Sequence, residues 1–550
     1  MNLSIAMRLG FHVRDMTVPT VLQRNRKERG DKVFLTYLPD GRRYTYRDTD
    51  EISSRLGNGL LARGIVPGTH VAVMMDNSPE QLFTYFALAK IRAVTIKINT
   101  AARGRMLEYF LTQSDATTLV CDAEYVERFL EIRDQIRSIR NLITNTDHDP
   151  LAPLFRDIDN LAVFRLADAH DGEDTLPEVE VKHSDLAFIS YTSGTTGPSK
   201  GVMFTQARNI SGGINNAEAF GYRMTDVMYV CLPMHHTNAM QGSIYPAMVV
   251  GASIALTKRF SVTSFWADCR EHGVTIVNML GSMVNFIWSQ PSSIDDSRHD
   301  VRMALCVPTP RFALEFEERF GMRFISGYGL TDYHTPLAFT LNDPPSKLGS
   351  PGRPRTGFEV AIVDEDDFPL PPAEVGEIVV RCNVPWYPSI GYYKMPEKTI
   401  ESMRNGWFHT GDRGYMDTDG YFWFVDRKKD AIRRRGENVS AFEVEQILLT
   451  HPSIADVAVF PIASELSEDE VACAVMLKQD AALDEEALIS FCIKSMSYFM
   501  VPRFVRFVPD LPRTLSQKVE KYKLQTEAAE RTDLYWDREK AGITVTRNSR

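Results

Sequence analysis

An alternation of strand-like and helix-like stretches begins at residue 71, and it constrains the fold more than any other feature of this chain. "VAVMM" (71–75) is typical of a buried strand, "PEQLFTYFALAK" (79–90) of a helix, and "AVTIKIN" (93–99) of a second strand. Pro79 suits the first helical turn, and apolar side chains recur on one helical face. A strand–helix–strand unit of this kind predicts a mostly parallel sheet with helices on its faces.

Later stretches extend the same pattern. "TTLVCD" (117–122) and "NLITN" (141–145) flank a further helical stretch, and "VAIVD" (360–364) and "EIVVRC" (377–382) indicate a β-rich patch. The sequence therefore predicts an α/β fold, in which a large N-terminal domain has mostly parallel sheets, flanking helices and a β-rich subdomain.

The pattern changes near residues 426–430, where we place a domain boundary. "ADVAVFP", "VACAVMLK", a helix near 484–496 and "RFVRFVP" then make a compact α+β unit. We predict a large domain over residues 1–428, a small mobile domain over 429–530 and a loosely held, charged tail over 531–550.

Length and hydropathy predict two or three domains without a membrane span. At 550 residues the chain is too long for a single core. No stretch reaches the roughly 18 uninterrupted apolar residues of a membrane span. "IYPAMVVGASIAL" (244–256) comes nearest, but Pro246 and Gly251 interrupt it, so we interpret it as buried core.

The cysteines and charges indicate the cellular setting. Seven cysteines without a CxxC pair favour reduced thiols over a disulfide framework or a zinc site. Charges interrupt the first stretch where a signal peptide needs a continuous apolar run, so we expect a cytoplasmic protein without a transmembrane segment. The net charge of −10 gives no broad positive field for nucleic acid. The sequence leaves open whether the chain forms a homodimer.

The stretch "YTSGTTGPSKG" (191–201) has the composition of an anion-binding loop. Glycine-rich backbone can turn its N–H groups toward a phosphate, while hydroxyls and Lys200 add donors and positive charge. A flexible linker is the first alternative, but "DLAFISY" (185–191) and "GVMF" (201–204) predict strands on both sides. An ordinary P-loop is the second, and the spacing of Gly194 and Gly197 does not fit it. A phosphate loop of another kind remains.

Four further motifs give the chain a family resemblance. They are "PMHH" (233–236), "SGYGLTD" (326–332), "GWFHTGDRG" (406–414) and "LPRTLSQK" (511–518). In this order and spacing they resemble the adenylate-forming superfamily of acyl-CoA synthetases, peptide-synthetase adenylation domains and luciferases. Together with "DNSPE", "FALAKI" and "VDRKKDAIRRRGENVS", they look most similar to the crotonobetaine or carnitine CoA ligases.

The resemblance implies a two-step ligase reaction. A carboxylate and ATP give acyl-AMP and pyrophosphate, and the thiol of coenzyme A then displaces AMP. The implied cofactors are ATP, Mg²⁺ and coenzyme A, and the implied partner is a small-molecule carboxylate. Because charge builds on phosphates in the first step, catalysis should consist of positioning and countercharge.

The resemblance also assigns the nucleotide site. The phosphates of ATP would be bound by Thr192, Ser193, Gly194, Thr195, Thr196, Gly197 and Lys200. Asp412 would bind the ribose hydroxyls, since a carboxylate accepts two hydrogen bonds side by side. Tyr328 would stack on adenine, Thr331 would contact the α-phosphate, and Asp332, where the family usually has Glu, would help to hold Mg²⁺.

Other assignments concern the small domain and its rotation. Arg427 matches the family arginine that contacts ribose or phosphate, and Lys429 matches the hinge. Gly436 would line the pantetheine channel. For "RRR" (433–435), a solvated turn and an arginine that reaches a CoA phosphate stay open as alternatives.

The adenylation lysine has two candidates. Lys518 would bridge the substrate carboxylate and the α-phosphate in the first conformation only. Gln517 replaces the glycine common before this lysine, so Lys521 is the rival.

The acyl pocket is expected to be polar. The resemblance places His236 in the catalytic site beside this pocket, with the stretch around Gly281, "CVPTP" and the residues after Tyr328. The polar side chains there are His235, His236, Thr237, Asn238, Tyr333 and His334. They favour a short, polar or bulky acid over a long fatty acid.

Other functions of the same scaffold remain as alternatives. An acyl-AMP ligase that loads a separate carrier protein and a luciferase-like oxygenase share the first half-reaction. A nucleotide-binding sensor without catalysis is the non-enzyme alternative. It is disfavoured because Lys200, Asp332, Asp412, Arg427 and Lys518 all carry reactive or charged groups.

Overall fold

The strand–helix–strand unit predicted after residue 71 is present. Strands His70–Met74 and Val94–Lys97 are paired in parallel, and helix Pro79–Lys90 connects them. The Ser78 hydroxyl accepts a hydrogen bond from the backbone N–H of Gln81 and so caps this helix. The computed structural model describes residues 7–146, 160–192, 199–310, 312–427, 431–434, 436–464, 468–512, 519 and 521–547.

The first sheet is parallel except at one edge. Its strands, in spatial order, are Lys200–Thr205, Leu186–Thr192, Val94–Lys97, His70–Met74, Thr118–Asp122, Asn141–Asn145 and Ala162–Arg165. The edge strand Lys200–Thr205 pairs antiparallel with Leu186–Thr192, whereas the other neighbours are parallel. Strands therefore lie on both sides of the glycine-rich stretch, as predicted, and they pair as a hairpin.

The second sheet has a parallel centre and antiparallel edges. Its strands, in spatial order, are Arg353–Pro354, His334–Phe339, Arg323–Leu330, Met303–Val307, Ile276–Leu280, Val227–Val230, Ser253–Leu256, Val33–Tyr37 and Arg43–Thr45. The pairs that include His334–Phe339 or Arg43–Thr45 are antiparallel.

Helices cover these sheets. They are Val18–Arg29, Tyr46–Ala62, Pro79–Lys90, Gly104–Gln113, Val126–Leu130, Gln206–Phe220, Thr237–Ala239, Tyr245–Val250, Phe265–Glu271, Gly281–Trp288, Ala313–Phe320 and Pro396–Glu401. The apolar stretch 244–256 forms helix Tyr245–Val250 and strand Ser253–Leu256 in the core of the large domain, as predicted. None of the helices in the described ranges is both long and apolar enough to cross a membrane.

The predicted β-rich patch is an antiparallel sheet. Its strands are Phe358–Val363, Gly376–Cys382, Met403–Arg404, Trp407–Met416 and Phe422–Arg427. A short hairpin of Met7–Arg8 and Phe11–His12 lies near the N-terminus.

The C-terminal domain has its own core. Its hairpin Ala431–Arg434 and Glu437–Ser440 leads into helix Ala441–Leu448. The sheet that follows contains Ile454–Ala463, Asp469–Leu477, Phe504–Phe507 and Trp536–Asp537, with helices Glu485–Ser495 and Lys521–Glu530. The domain boundary itself stays a prediction, since residues 428–430 lie outside the described part of the chain.

The expectation of a loosely held tail after residue 530 is wrong for its described residues. Strand Trp536–Asp537 pairs with Phe504–Phe507, and Tyr535 and Arg538 are buried. Apolar contacts and the extra strand hold this segment, although its charged composition is typical of a solvated tail.

Candidate functional site

A cavity of about 870 Å³ brings several sequence motifs together. It lies where the carboxyl ends of parallel strands in the large domain face the first hairpin of the C-terminal domain. The predicted site residues that line it are Thr192, Lys200, His236, Thr331, Asp332, Asp412 and Gly436. Because these residues come from separate motifs, only the tertiary fold could bring them to one cavity.

The ends of the glycine-rich loop are held at the cavity wall. Thr192 lies opposite Lys200 in the last register pair of the hairpin. The Lys200 ammonium lies 4.7 Å from the centroid of the Tyr392 ring, which is a cation–π distance. Ser193, Gly194, Thr195, Thr196 and Gly197 lie outside the described residues, and their phosphate contacts stay a prediction.

Asp412 and Tyr328 are joined by a hydrogen bond. The Tyr328 hydroxyl donates to Asp412 Oδ2 over 2.6 Å, and only 3 % of Asp412 is exposed. The backbone N–H of Asp412 donates to Thr410 Oγ1, which fixes the strand at this point. Sequence reasoning assigned separate roles to these two residues and missed the bond between them, since they are 84 positions apart.

Arg427 is placed only through its backbone. It lies opposite Asp412 in the antiparallel ladder of the β-rich subdomain, and the orientation of its side chain is outside the description. Lys429 and Lys518 also lie outside the described residues. Their hinge and adenylation roles therefore stay predictions.

Asp332 has a carboxylate oxygen suited to a metal ion. Among the described residues, Asp332 Oδ1 is buried without a hydrogen-bond partner. Burial raises the pKa of Asp332, while the Tyr392 hydroxyl and Lys200 act in the opposite direction. A hard cation prefers oxygen ligands of this kind, so the residues present fit Mg²⁺.

The neighbouring Thr331 is fixed by a buried arginine. Its carbonyl accepts a hydrogen bond from Arg208 Nη2 over 2.9 Å, and Thr331 lines the cavity beside Asp332. Sequence reasoning missed Arg208, because a single arginine inside a helix has no local signal of a site.

His236 forms an ion pair across the two domains. Its Nε2 lies 2.7 Å from Glu437 Oε2, in the first hairpin of the C-terminal domain. Burial works against the imidazolium, but the charge of Glu437 outweighs it and raises the pKa of His236. Burial and the neighbouring His236 instead keep the pKa of His235 well below its ordinary value. The pair therefore favours a protonated His236 beside a neutral His235.

Gly436 occupies a position that requires glycine. Its φ is +80°, and a Cβ atom there would overlap Leu280 Cδ1 of the large domain. The turn at Gly436 therefore packs directly against Leu280 of the large domain, and Gly436 itself lines the cavity.

Glu443 is a buried contact that the sequence did not reveal. Its Oε1 accepts a hydrogen bond from the backbone N–H of Ser199 over 3.0 Å and is also bonded to the Ser199 hydroxyl. Burial raises the pKa of Glu443 to about 7, although the bonds from Ser199 act in the opposite direction. The contact links the end of the glycine-rich loop to the C-terminal domain.

The buried arginine of "RRR", Arg434, and the rival lysine have structural partners. Arg434 is buried, lies 2.6 Å from Glu470, and donates to the carbonyl of Phe499. A solvated turn and a CoA-phosphate contact are therefore both wrong for Arg434. Lys521 Nζ lies 2.6 Å from Glu445 and does not line the cavity in this arrangement.

Three polar residues expected in the acyl pocket, Asn238, Tyr333 and His334, do not line the cavity. Tyr333 stacks on Phe408, and His334 lies 3.0 Å from the Ser211 hydroxyl while also contacting Arg208. His235, His236 and Thr237 do line the cavity. The polar wall is therefore smaller than the sequence predicted.

Comparison with known proteins defines the class. The family model for the AMP-binding enzyme matches residues 22–390, and that for the AMP-binding enzyme C-terminal domain matches residues 443–518. The chain belongs to the AMP-binding enzyme family, within the adenylate-forming superfamily of acyl-CoA ligases that its motifs resemble. The fold class and the family predicted from the sequence are confirmed.

Individual relatives agree with this class. The chain is 32% identical to a crotonobetaine/carnitine–CoA ligase of Salmonella typhimurium over 505 residues, which cover 90% of this chain and 96% of the relative. Solved structures share the fold at lower identity. An anthranilate CoA ligase is 23% identical with a TM-score of 0.70 over 97% of this chain and 100% of its own. An o-succinylbenzoate CoA synthetase of Bacillus subtilis is 22% identical with a TM-score of 0.78, over 92% of this chain and 97% of its own.

Proposed function

We propose that this protein is an ATP-dependent carboxylate–CoA ligase that works in two steps. A carboxylate and ATP would give acyl-AMP and pyrophosphate, and coenzyme A would then take the acyl group and release AMP. The observation that carries this proposal is the convergence of Lys200, Asp332, Asp412 and His236 on one cavity. The family match supports it independently.

In the first step, the chain binds the nucleotide and balances charge on its phosphates. Asp412, held by Tyr328, would accept hydrogen bonds from the ribose hydroxyls. Lys200 would lie beside the phosphates, and Lys518 would bridge the carboxylate and the α-phosphate. Mg²⁺, when bound, neutralises phosphate charge, and Asp332 is the residue that would hold it.

In the second step, the C-terminal domain presents a different face. Gly436 would line the path of the thiol, because it leaves room beside Leu280 where a side chain would not fit. The ion pair between His236 and Glu437 would hold this face against the large domain. Lys429 would be the hinge between the two arrangements.

The acid is proposed to be short, polar or bulky, such as a carnitine-like acid. The crotonobetaine/carnitine–CoA ligase relative and the polar wall formed by His235, His236 and Thr237 support this size and polarity. All seven cysteines are free thiols, which fits the proposed cytoplasmic location.

A pyrophosphate-release screen over carboxylic acids with ATP, Mg²⁺ and coenzyme A tests the proposal. We expect pyrophosphate with suitable acids, and acyl-CoA and AMP only when coenzyme A is present. Acyl-AMP that accumulates despite coenzyme A would favour a ligase that loads a carrier protein. ATP binding without pyrophosphate release from any acid would favour a sensor.

A further inference from the structure

Lys97 is a buried lysine in the wall of the cavity that no sequence motif singled out. It is the last residue of strand Val94–Lys97 and lies opposite Ser190 in the first sheet. Lys97 lines the cavity together with Ser190, His235 and Thr237, and only 7% of it is exposed.

No described carboxylate forms an ion pair with the Lys97 ammonium. The centroids of the Phe188 and Tyr85 rings lie 4.5 and 5.6 Å from Nζ. The nearby buried Arg208 adds a second positive charge. Burial, followed by repulsion from Arg208, lowers the pKa of Lys97 to about 7.

Lys90 shows what a purely structural buried lysine looks like in this chain. Its Nζ lies 2.7 Å from Asp50 Oδ1 and donates to the Ser54 hydroxyl over 2.8 Å. A buried charge is normally paired in this way, because desolvation without a partner is expensive. Lys97 is also buried, but it lines a cavity and has no described acid beside it, which is an arrangement suited to an anionic ligand.

We infer that Lys97 binds a second anionic group on the acyl part of the substrate. This inference rests on the proposed ligase function and narrows its substrate to acids with a carboxylate or similar group besides the one that is activated. An acid with a quaternary ammonium group, such as carnitine, would meet repulsion from Lys97 and Arg208. Of the short, polar or bulky acids proposed above, the inference therefore favours those with a second anionic group over carnitine-like acids, and it differs from the name of the crotonobetaine/carnitine–CoA ligase relative.

Two matched acid series test the inference. Butyrate, succinate and 3-trimethylammoniopropanoate differ only in the group on carbon 3 of a propanoate. Benzoate, benzene-1,3-dicarboxylate and 3-trimethylammoniobenzoate differ only in the group at ring position 3. The measurement is ATP–pyrophosphate exchange in the absence of coenzyme A, because this exchange turns over through the first step alone and the phosphates of coenzyme A cannot then be the bound anion. We expect kcat/KM of the wild type to be highest for the dicarboxylate in at least one series.

Lys97→Met keeps the apolar stem against Phe188 and removes the charge. We expect a loss of about 10- to 100-fold in kcat/KM for the dicarboxylate, as for a charged hydrogen bond, with the monocarboxylate nearly unchanged. Lys97→Arg should recover part of the loss. Lys182→Met, at an exposed lysine, is the matched control and should change nothing.

Several outcomes would overturn the inference. One is a wild type that does not prefer a dicarboxylate. Another is a Lys97→Met variant that loses activity equally with all acids, since the lysine would then contact a group common to every reaction, either the activated carboxylate or a phosphate of ATP. The melting temperature measures binding independently of catalysis. Succinate or benzene-1,3-dicarboxylate should raise the melting temperature of the wild type but not that of Lys97→Met. If neither dicarboxylate does so, the inference fails. Absence of ATP–pyrophosphate exchange with every acid would instead contradict the ligase function.

Discussion

Replacement of Asp412 by Asn should weaken ATP binding while leaving the fold in place. The carboxylate accepts the Tyr328 hydroxyl over 2.6 Å and is buried, so its removal by Ala would also leave a phenol hydroxyl without its acceptor. Such an unpaired buried group costs about 1–3 kcal/mol of stability. Asn keeps the shape of the side chain and one acceptor oxygen for Tyr328. The loss of ATP affinity can therefore be measured without a large loss of stability.

The expected loss follows from the ribose contact. Loss of a hydrogen bond to a charged group typically costs about 1.5–3 kcal/mol, which corresponds to a roughly 10- to 100-fold higher Kd for ATP. Isothermal titration calorimetry with ATP and Mg²⁺ measures it, and a melting curve checks the fold. Asp366→Asn, at an exposed acid, is the matched control. An unchanged Kd in folded Asp412→Asn protein would remove Asp412 from the nucleotide site.

Three further variants separate the half-reactions. Lys518→Ala should slow acyl-AMP formation by roughly 10²–10³ and still convert supplied acyl-AMP to acyl-CoA, whereas a selective loss in Lys521→Ala would show that the predicted register is wrong. Gly436→Ala should slow thioester formation more than adenylation, because φ is +80° and the added methyl group would overlap Leu280 of the large domain. Equal loss in both assays would contradict the place of Gly436 on the path of the thiol. Arg547→Ala removes a 2.7 Å contact between Arg547 and Asp76 that ties the C-terminal segment to the large domain. If this contact stabilises the arrangement used in the second step, the variant should reduce thioester formation by up to about fivefold. A loss confined to adenylation would refute a role of Arg547 in the second step.

Local patterns account for the parts of the fold that were predicted correctly. The helix that starts at Pro79 and the strand Leu186–Thr192 follow from apolar periodicity and capping within a short window. The tail was misjudged because charge dominates its composition, while its packing depends on pairing with strand Phe504–Phe507, which lies about thirty residues earlier.

The sequence by itself determined the family, the α/β class and the nucleotide motifs, since these depend on local periodicity and on the order of short motifs. Only the tertiary structure decided which groups meet. It joined Tyr328 to Asp412, turned His334 away from the cavity, and left Lys97 without a described acidic partner. Side-chain pairing between distant segments depends on how sheets and domains pack. The sequence around a lysine therefore does not tell whether the side chain meets an acid or a cavity. Lys90 pairs with Asp50, whereas Lys97 lines the cavity.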